Sequence, residues 1–310
     1  MKYRRLGKTG LKVSVVGVGT WQFGGAWGKD FTQSEVDAIL DRANQLGINL
    51  LDTAECYGHH LSESFIGDYV QRRKTRDSWV IATKFGHNYA ARDDKETNFW
   101  SAGEVLKQLD ASLQTLRTEY IDLYQFHSGP DEVFDNDELW TALDKQVQAG
   151  KVRNLGISIG SNDNLHQTES ASRIGAKAIQ VVYNRLDQTP EKRVFPSCEA
   201  QDLGVLARVP LASGYLSGKY EPGAVFPGND VRARHNAEQT AARLAKVADI
   251  KQSEVPAGVN MASWALAWCL QHPAVTCVIP GCKSPEQVEA NALAVELDLV
   301  RNDHPQSWPV

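Results

Sequence analysis

Eight times along this chain a short apolar run is followed by a segment of helical spacing, and no linker interrupts the series. Runs at 14–18, 48–51, 79–83, 121–126, 152–157, 178–182, 204–207 and 275–279 read as buried strands. Helical patterns lie between and after them, at 32–46, from 61 onward, at 104–116, around 139–147, at 164–173, 191–202, 235–248, 259–270 and 284–293. Within the first, Val36, Ile39, Leu40, Ala43 and Leu46 share one face and Gly47 closes the helix. The last starts from a Ser284 cap with Pro285 and Glu286 in its first turn. Strict β/α alternation implies a parallel sheet. Eight units in 310 residues predict an α/β chain that folds as a single (β/α)8 TIM barrel over 1–310, with an open doubly wound sheet as the alternative. Gly7 and Gly10 between β-prone pieces at 3–13 add an N-terminal β-hairpin. Seven Gly or Pro residues at 210–228 predict a long loop after strand 7 rather than an element.

Bulk properties exclude several classes. A formal net charge of −5, a pI near 5.9 and no basic stripe argue against nucleic acid or an anionic membrane surface as partner. Five cysteines, an odd number with no CxxC pair, suggest neither a disulfide framework nor a zinc site; reduced thiols in the cytoplasm are expected. No apolar leader follows the basic N-terminus, and no run approaches the roughly 20 apolar residues of a membrane helix. Nothing marks an oligomer, so a monomer is the default.

In a barrel all strands open their C-terminal ends onto one face. Asp52, Lys84 and His127 follow three successive apolar runs, and Tyr57 lies in the loop beyond Asp52. Singly, each fits a loop cap, a surface lysine, a satisfied histidine or a half-buried aromatic. Together they suit proton transfer. A free phenol titrates near pH ~10, too high for a good donor at neutrality. An ammonium on Lys84 is expected to lower that value, and Asp52 to hold the lysine charged and in place. His127 is placed to hydrogen-bond the same substrate oxygen. No metal is needed, and the adjacent His59 and His60 are poorly spaced for chelation. Trp21, Trp27, Tyr89, Phe99 and Trp100 are candidates for an aromatic pocket or for packing. Asp52 with Glu55 leaves open a hydrolase or lyase with paired carboxylates.

In order, spacing and position, Asp52, Tyr57, Lys84 and His127 resemble the catalytic tetrad of the aldo-keto reductase superfamily, and the likeness runs along nearly the whole chain. The resemblance implies a barrel without a Rossmann domain, hydride transfer from a nicotinamide to a small aldehyde or ketone, and the tyrosine as general acid. The Gly24-Gly25 loop lacks GxGxxG spacing and is not a dinucleotide fingerprint. By the same resemblance, Thr20 and Trp21 line the nicotinamide and substrate mouth, Asp52 lies near the ribose, and Ser158 and Gln180 bond the carboxamide. Pro210, Leu211, Ala212, Ser213 and Lys219 match a segment folded over the pyrophosphate, followed by Arg232. Gly281, Lys283, Gln287 and Asn291 match the adenosine end, where a helix beginning near Ser284 offers N–H groups to phosphate.

Three departures from the family pattern involve four positions. Ile159 stands where Asn is frequent after the serine. Arg208 stands where an aromatic commonly stacks on the nicotinamide. Gly281 and Gln287 stand where many relatives carry the lysine and arginine that read the 2′-phosphate. The pattern resembles the bacterial branch and the potassium-channel β-subunit branch, which implies NADPH, with Lys283 and Arg232 or Arg234 supplying charge. It also implies an alternative role, a cofactor-loaded barrel that regulates a partner.

Overall fold

Alternation in the sequence becomes alternation in space. The computed structural model describes residues 1–87 and 99–308. Strands β1 (Tyr3–Arg5) and β2 (Lys12–Ser14) form the expected antiparallel hairpin. Then β3 (Val18–Gly19), β4 (Leu50–Asp52), β5 (Val80–Phe85), β6 (Leu123–His127), β7 (Leu155–Ser158), β8 (Ala176–Val182), β9 (Gly204–Arg208) and β10 (Val275–Val278) pair in parallel in chain order. The first and last meet. Val278 N–H donates to the Val15 carbonyl (2.9 Å), Gly17 N–H to Val278 (2.8 Å) and Gly19 N–H to Pro280 (2.9 Å). This seam makes the sheet a closed (β/α)8 barrel, not an open doubly wound one.

The helices are α1 (Gln33–Gln45), α2 (Leu61–Arg73), α3 (Ala102–Thr115), α4 (Asp131–Phe134), α5 (Asp137–Gln148), α6 (Leu165–Glu169), α7 (Val194–Ala200), α8 (Ala237–Ser253), α9 (Met261–Leu270) and α10 (Pro285–Ala292). Local chemistry sets their starts. At α1 the Thr32 hydroxyl accepts from Glu35 N–H while Thr32 N–H donates to the Glu35 carboxylate, a reciprocal cap.

Several boundaries differ from the sequence reading. The first apolar run is split: Ser14 joins the hairpin, and residues 15–17 bond across the seam, leaving Val18–Gly19 as regular strand. The strand read at 152–157 begins at Leu155, with Val152 making one isolated bridge to Ile121. The helix read at 164–173 stops at Glu169. The one read at 191–202 is a 3-10 turn, Thr189–Lys192, followed by α7; Pro190 and Pro196 lack the N–H groups a continuous helix would use. The long loop starts with a 3-10 stretch, Ala212–Ser217, bent by positive φ at Ser213 and Gly214.

Inside the barrel, Leu50, Ala82, Leu123, Ala178, Leu206 and Cys277 form one apolar cluster, and the hairpin plugs it from below with Leu6 and Val13. A Cβ on Gly204 would lie 2.6 Å from Leu6 Cδ1, so the plug requires glycine on β9. A separate cluster joins Tyr215 and Leu216 of the long loop to Leu244, Val247 and Trp264 of α8 and α9.

Leu6 is fully buried. Leu6→Ala should therefore cost about 2–5 kcal/mol of stability through lost transfer energy and a residual cavity. Denaturant unfolding of the intact chain measures it; a loss below about 1 kcal/mol would mean the hairpin is not a packed plug.

Candidate active site

Successive side chains of a strand face opposite ways. On β4, Leu51 packs toward the helices and Leu50 into the barrel, so Asp52 points inward at the strand's end. The same parity puts Lys84 above Ala82, His127 two positions beyond Gln125 and Leu123, Gln180 above Ala178 and Arg208 above Leu206. An apolar floor thus carries a polar layer.

Lys84 is about 1% exposed and organises that layer. Its Nζ donates to Asp52 Oδ2 (3.0 Å), the Thr53 carbonyl (2.7 Å) and the Tyr57 hydroxyl oxygen (3.1 Å). Gln180 Nε2 donates to the other Asp52 oxygen. Burial works to discharge the lysine, but Asp52 and Tyr57 outweigh it and hold the ammonium above its ordinary pKa. Burial also pushes the Tyr57 phenol up to about 12, with the Lys84 charge and hydrogen bond pulling it back. This corrects the expected net lowering: the lysine acts in the expected direction, but removal from water is the larger effect. His127 is held well below the usual imidazole range by burial, then by Lys84, His87 and Arg208, so it is neutral. Its Nδ1 lies 3.7 Å from Cys56 Sγ.

The glycine-rich loop serves as a backstop for the tyrosine. A Cβ on Gly24 would lie 2.6 Å from the Tyr57 carbonyl carbon, and one on Gly58 2.8 Å from Gly24 Cα. Trp21 stacks on the Tyr57 ring (6.1 Å between centroids), and Trp27 meets Trp21 edge-on at 5.1 Å. Behind the loop, Thr83 Oγ1 donates to Glu63 Oε1 (2.6 Å), and His60 Nδ1 lies 2.5 Å from Glu63 Oε2. Gly86 N–H donates to Glu55 (3.2 Å). Burial, then the Glu63 charge, push the Glu55 carboxyl up to about 8. Glu55 does not line the cavity, so the paired-carboxylate reading with Asp52 loses its geometry.

A cavity of about 590 Å³ opens over this layer. Asp52, Tyr57, Lys84 and His127 line one end. Thr20, Trp21, Gln180 and Arg208 line the same region, with Pro210, Leu211 and Ser213 beyond. Lys219, Arg232, Gly281, Lys283, Gln287 and Asn291 line the part toward α10. Of the coenzyme candidates, Ser158, Ala212 and Arg234 do not line it. Ser158 is buried between His127 and Gln180 in strand register with its Oγ unpartnered, and Ala212 packs on the cluster beneath the long loop. Of the aromatic candidates, Trp21 and Trp27 line the cavity, and Trp100 packs on Phe126 at 4.9 Å. Phe99 contributes a carbonyl that accepts from Gln108 (2.8 Å); Tyr89 lies outside the described residues.

The departures acquire physical reasons. A Cβ on Gly281 would lie 1.5 Å from the Gln22 amide nitrogen, so no lysine fits there without moving Gln22. Ile159 is buried, and its carbonyl accepts from Arg208 Nη2 (3.1 Å). Arg232 is already answered: Nε and Nη2 donate to the two Asp230 oxygens (2.8 and 2.6 Å) beneath the Phe226 ring. Arg234 does not line the cavity. Lys283 Nζ donates to the Trp27 carbonyl, and Lys219 makes no ion pair among the described residues. At the start of α10 the Ser284 carbonyl accepts from Gln287 and Val288 N–H (3.2 and 3.3 Å), and the Glu286 carboxylate, held below its ordinary range by hydrogen bonds from the Ser284 side chain and its own N–H, occupies the rest of the first turn. These lysines and the orphaned Ser158 Oγ and Arg208 Nε suit a nicotinamide dinucleotide, whose phosphates and carboxamide would answer them. No cluster that could hold a metal ion occurs among the described residues. Sequence reasoning passed over Gln22, Cys56 and Ser128, which also line the cavity; their adjacency to Trp21, Tyr57 and His127 was the available signal.

Comparison with known proteins identifies a family. Residues 15–307 match the model of the Aldo/keto reductase family. The uncharacterized oxidoreductase YrpG of Bacillus subtilis (strain 168) is 34% identical, over 96% of this chain and 92% of its own. A probable voltage-gated potassium channel subunit beta of Arabidopsis thaliana is 30% identical, over 96% and 92%. The holo form of aldo-keto reductase AKR11C1 from Bacillus halodurans superposes with a TM-score of 0.79 at 31% identity, covering 99% and 94%.

Removing one member of a buried ion pair leaves the other charge unanswered. Lys84→Met should therefore destabilise the fold by about 3–5 kcal/mol, and adding Asp52→Asn should recover part of that loss. Unfolding free energies of the four proteins in the double-mutant cycle measure the coupling; simple additivity would contradict the pairing.

Proposed function

The chain belongs to the aldo/keto reductase family, and from that premise we propose that this oxidoreductase uses NADPH to reduce aldehydes or ketones to alcohols. One observation carries the reading: the Tyr57 hydroxyl lies 3.1 Å from an ammonium that Asp52 holds charged, inside a cavity with room for a coenzyme and a small carbonyl. A nicotinamide coenzyme bound in this cavity supplies a hydride to the carbonyl carbon. Tyr57 gives its proton to the carbonyl oxygen, so the product is a neutral alcohol. Lys84 stabilises the phenolate left behind, and solvent returns the proton. Asp52, fixed by Gln180, keeps the ammonium in place throughout. Neutral His127 offers a ring N–H to orient the carbonyl without adding a charge. Trp21 and Trp27 exclude water and give the substrate an apolar wall.

Lys283 and Lys219, unlike Arg232, have charge to spare, which favours NADPH over NADH. Five free, buried cysteines favour a reducing, cytoplasmic setting. The channel-subunit relative supports a second reading, a coenzyme-loaded barrel acting on a partner. Against it, the exposed large hydrophobics among the described residues are Leu61, Val225 and Leu293, on three different segments, and make no docking patch.

Tyr57→Phe removes only the acidic hydroxyl. Aldehyde-dependent NADPH oxidation should fall by about a hundredfold or more while NADPH still binds; a rate near that of the unaltered protein would sink the reading. Loss of one charge-assisted contact costs about 1.5–3 kcal/mol, so Lys283→Ala should weaken NADPH by about tenfold or more and leave NADH unchanged. Parallel titrations of intrinsic fluorescence with the two coenzymes distinguish these outcomes; equal weakening would move the 2′-phosphate contact elsewhere.

A further inference from the structure

The catalytic end of the cavity carries more positive charge than the mechanism above uses. Asp52 and Glu286 are the acids among the described residues that line the cavity, and Glu286 stands at the start of α10. Both Asp52 oxygens are committed, one to Lys84 and one to Gln180. Arg208 is the remaining cation there. It ends β9, donates from Nη2 to the Ile159 carbonyl at 3.1 Å, and its buried Nε has no partner. No carboxylate among the described residues forms an ion pair with it. His127 and Tyr57 are neutral at pH 7. Two cations therefore face one anion where water is scarce, and an uncompensated buried charge has a large effect on whatever binds beside it.

We propose that Arg208 makes the site discriminate between the two redox states of its coenzyme, holding NADPH more tightly than NADP+. This rests on the coenzyme reading above. The reduced nicotinamide ring is neutral, and the oxidised ring carries a positive charge; the rest of the molecule is the same in both. The carbonyl oxygen must sit at the Tyr57 hydroxyl and the hydride donor about 3–3.5 Å from the carbonyl carbon. Arg208 lines the same end of the cavity as Tyr57, Lys84 and His127, and its charge helps to hold His127 neutral, so the ring must come within its field. The alternative use of such a cation is to anchor a substrate carboxylate. Placement favours the coenzyme: Arg208 is tied to Ile159 just beyond β7, on the far side from the Trp21, Trp27 and Tyr57 wall that rises from β3 and β4. The same repulsion would hasten departure of oxidised coenzyme after each reduction and oppose hydride donation while it is bound.

Dissociation constants of NADPH and NADP+, measured by calorimetry on the intact unaltered protein, test this without any turnover. NADPH should bind about tenfold or more tightly than NADP+. Arg208→Met and Arg208→Gln should bring the ratio close to one, and Arg208→Lys should preserve it. Because both coenzymes are measured on each variant, a general loss of packing moves both constants and leaves the ratio alone. Equal binding by the unaltered protein overturns the inference, as does a lysine variant that behaves like the methionine one. A ratio unmoved by the neutral variants, with poorer KM only for carboxylate-bearing aldehydes, also overturns it and makes Arg208 a substrate anchor. Failure of the unaltered protein to bind either coenzyme removes the coenzyme reading itself, a distinct result.

Discussion

Everything at the open end of this barrel depends on an ammonium kept charged out of water. A buried lysine on its own would shed its proton. Lys84 does not, because each of its three N–H groups meets an oxygen: the Asp52 carboxylate, the Thr53 carbonyl and the Tyr57 hydroxyl. Two of those acceptors are consecutive at the end of β4, and the third is on the loop they launch. One side chain from β5 therefore ties down the neighbouring strand end and the loop carrying Tyr57. The contacts that stabilise this end of the barrel are the same ones that set the surroundings of the phenol, so neither partner can change alone.

Holding the phenol there requires an unfavourable backbone. His59 and His60 both adopt left-handed conformations, with φ of 51° and 65°, which residues with a Cβ avoid. Compensation is local. His60 N–H donates to the Glu55 carbonyl (2.7 Å), its ring meets Glu63, and Glu63 in turn accepts from Thr83 on β5. On the other side Gly24 and Gly58 approach so closely that neither tolerates a side chain. The tyrosine loop is clamped between a buried polar network and a bare backbone surface. That gives the glycine-rich loop a packing role.

What could be read from the sequence follows from which interactions are local. Strand parity and helix periodicity are local, so the alternation, the hairpin and the inward residues at the strand ends were legible. So were Asp52, Lys84 and His127 as ends of neighbouring strands. Boundaries were less so, because residues 15–17 give up strand pairing on one side for the seam with β10. The net ionisation of Tyr57 was not legible, since it sums burial from every neighbouring element against one nearby charge. Neither was the close approach of Gln22 to Gly281, residues distant in sequence that meet across the seam and leave no room there for a side chain. Arg232 lines the cavity as read, but its pairing was not legible: Asp230, two residues away, takes both Nε and Nη2.

The seam connects the fold to the length of the cavity. Closing eight strands brings the first beside the last, and here the contact runs through Gly17, Gly19 and Gly281. A Cβ on Gly19 would lie 2.6 Å from the Ile279 carbonyl oxygen, so the strands can approach only where side chains are missing. Missing side chains also leave the upper edge of the seam low. The cavity passes over it, lined by Gly19, Ile279, Pro280 and Gly281, and joins the catalytic end to the start of α10. A bulkier seam would either open the barrel or block the groove. The glycines that close the sheet are thus the same ones that keep the cavity continuous across it.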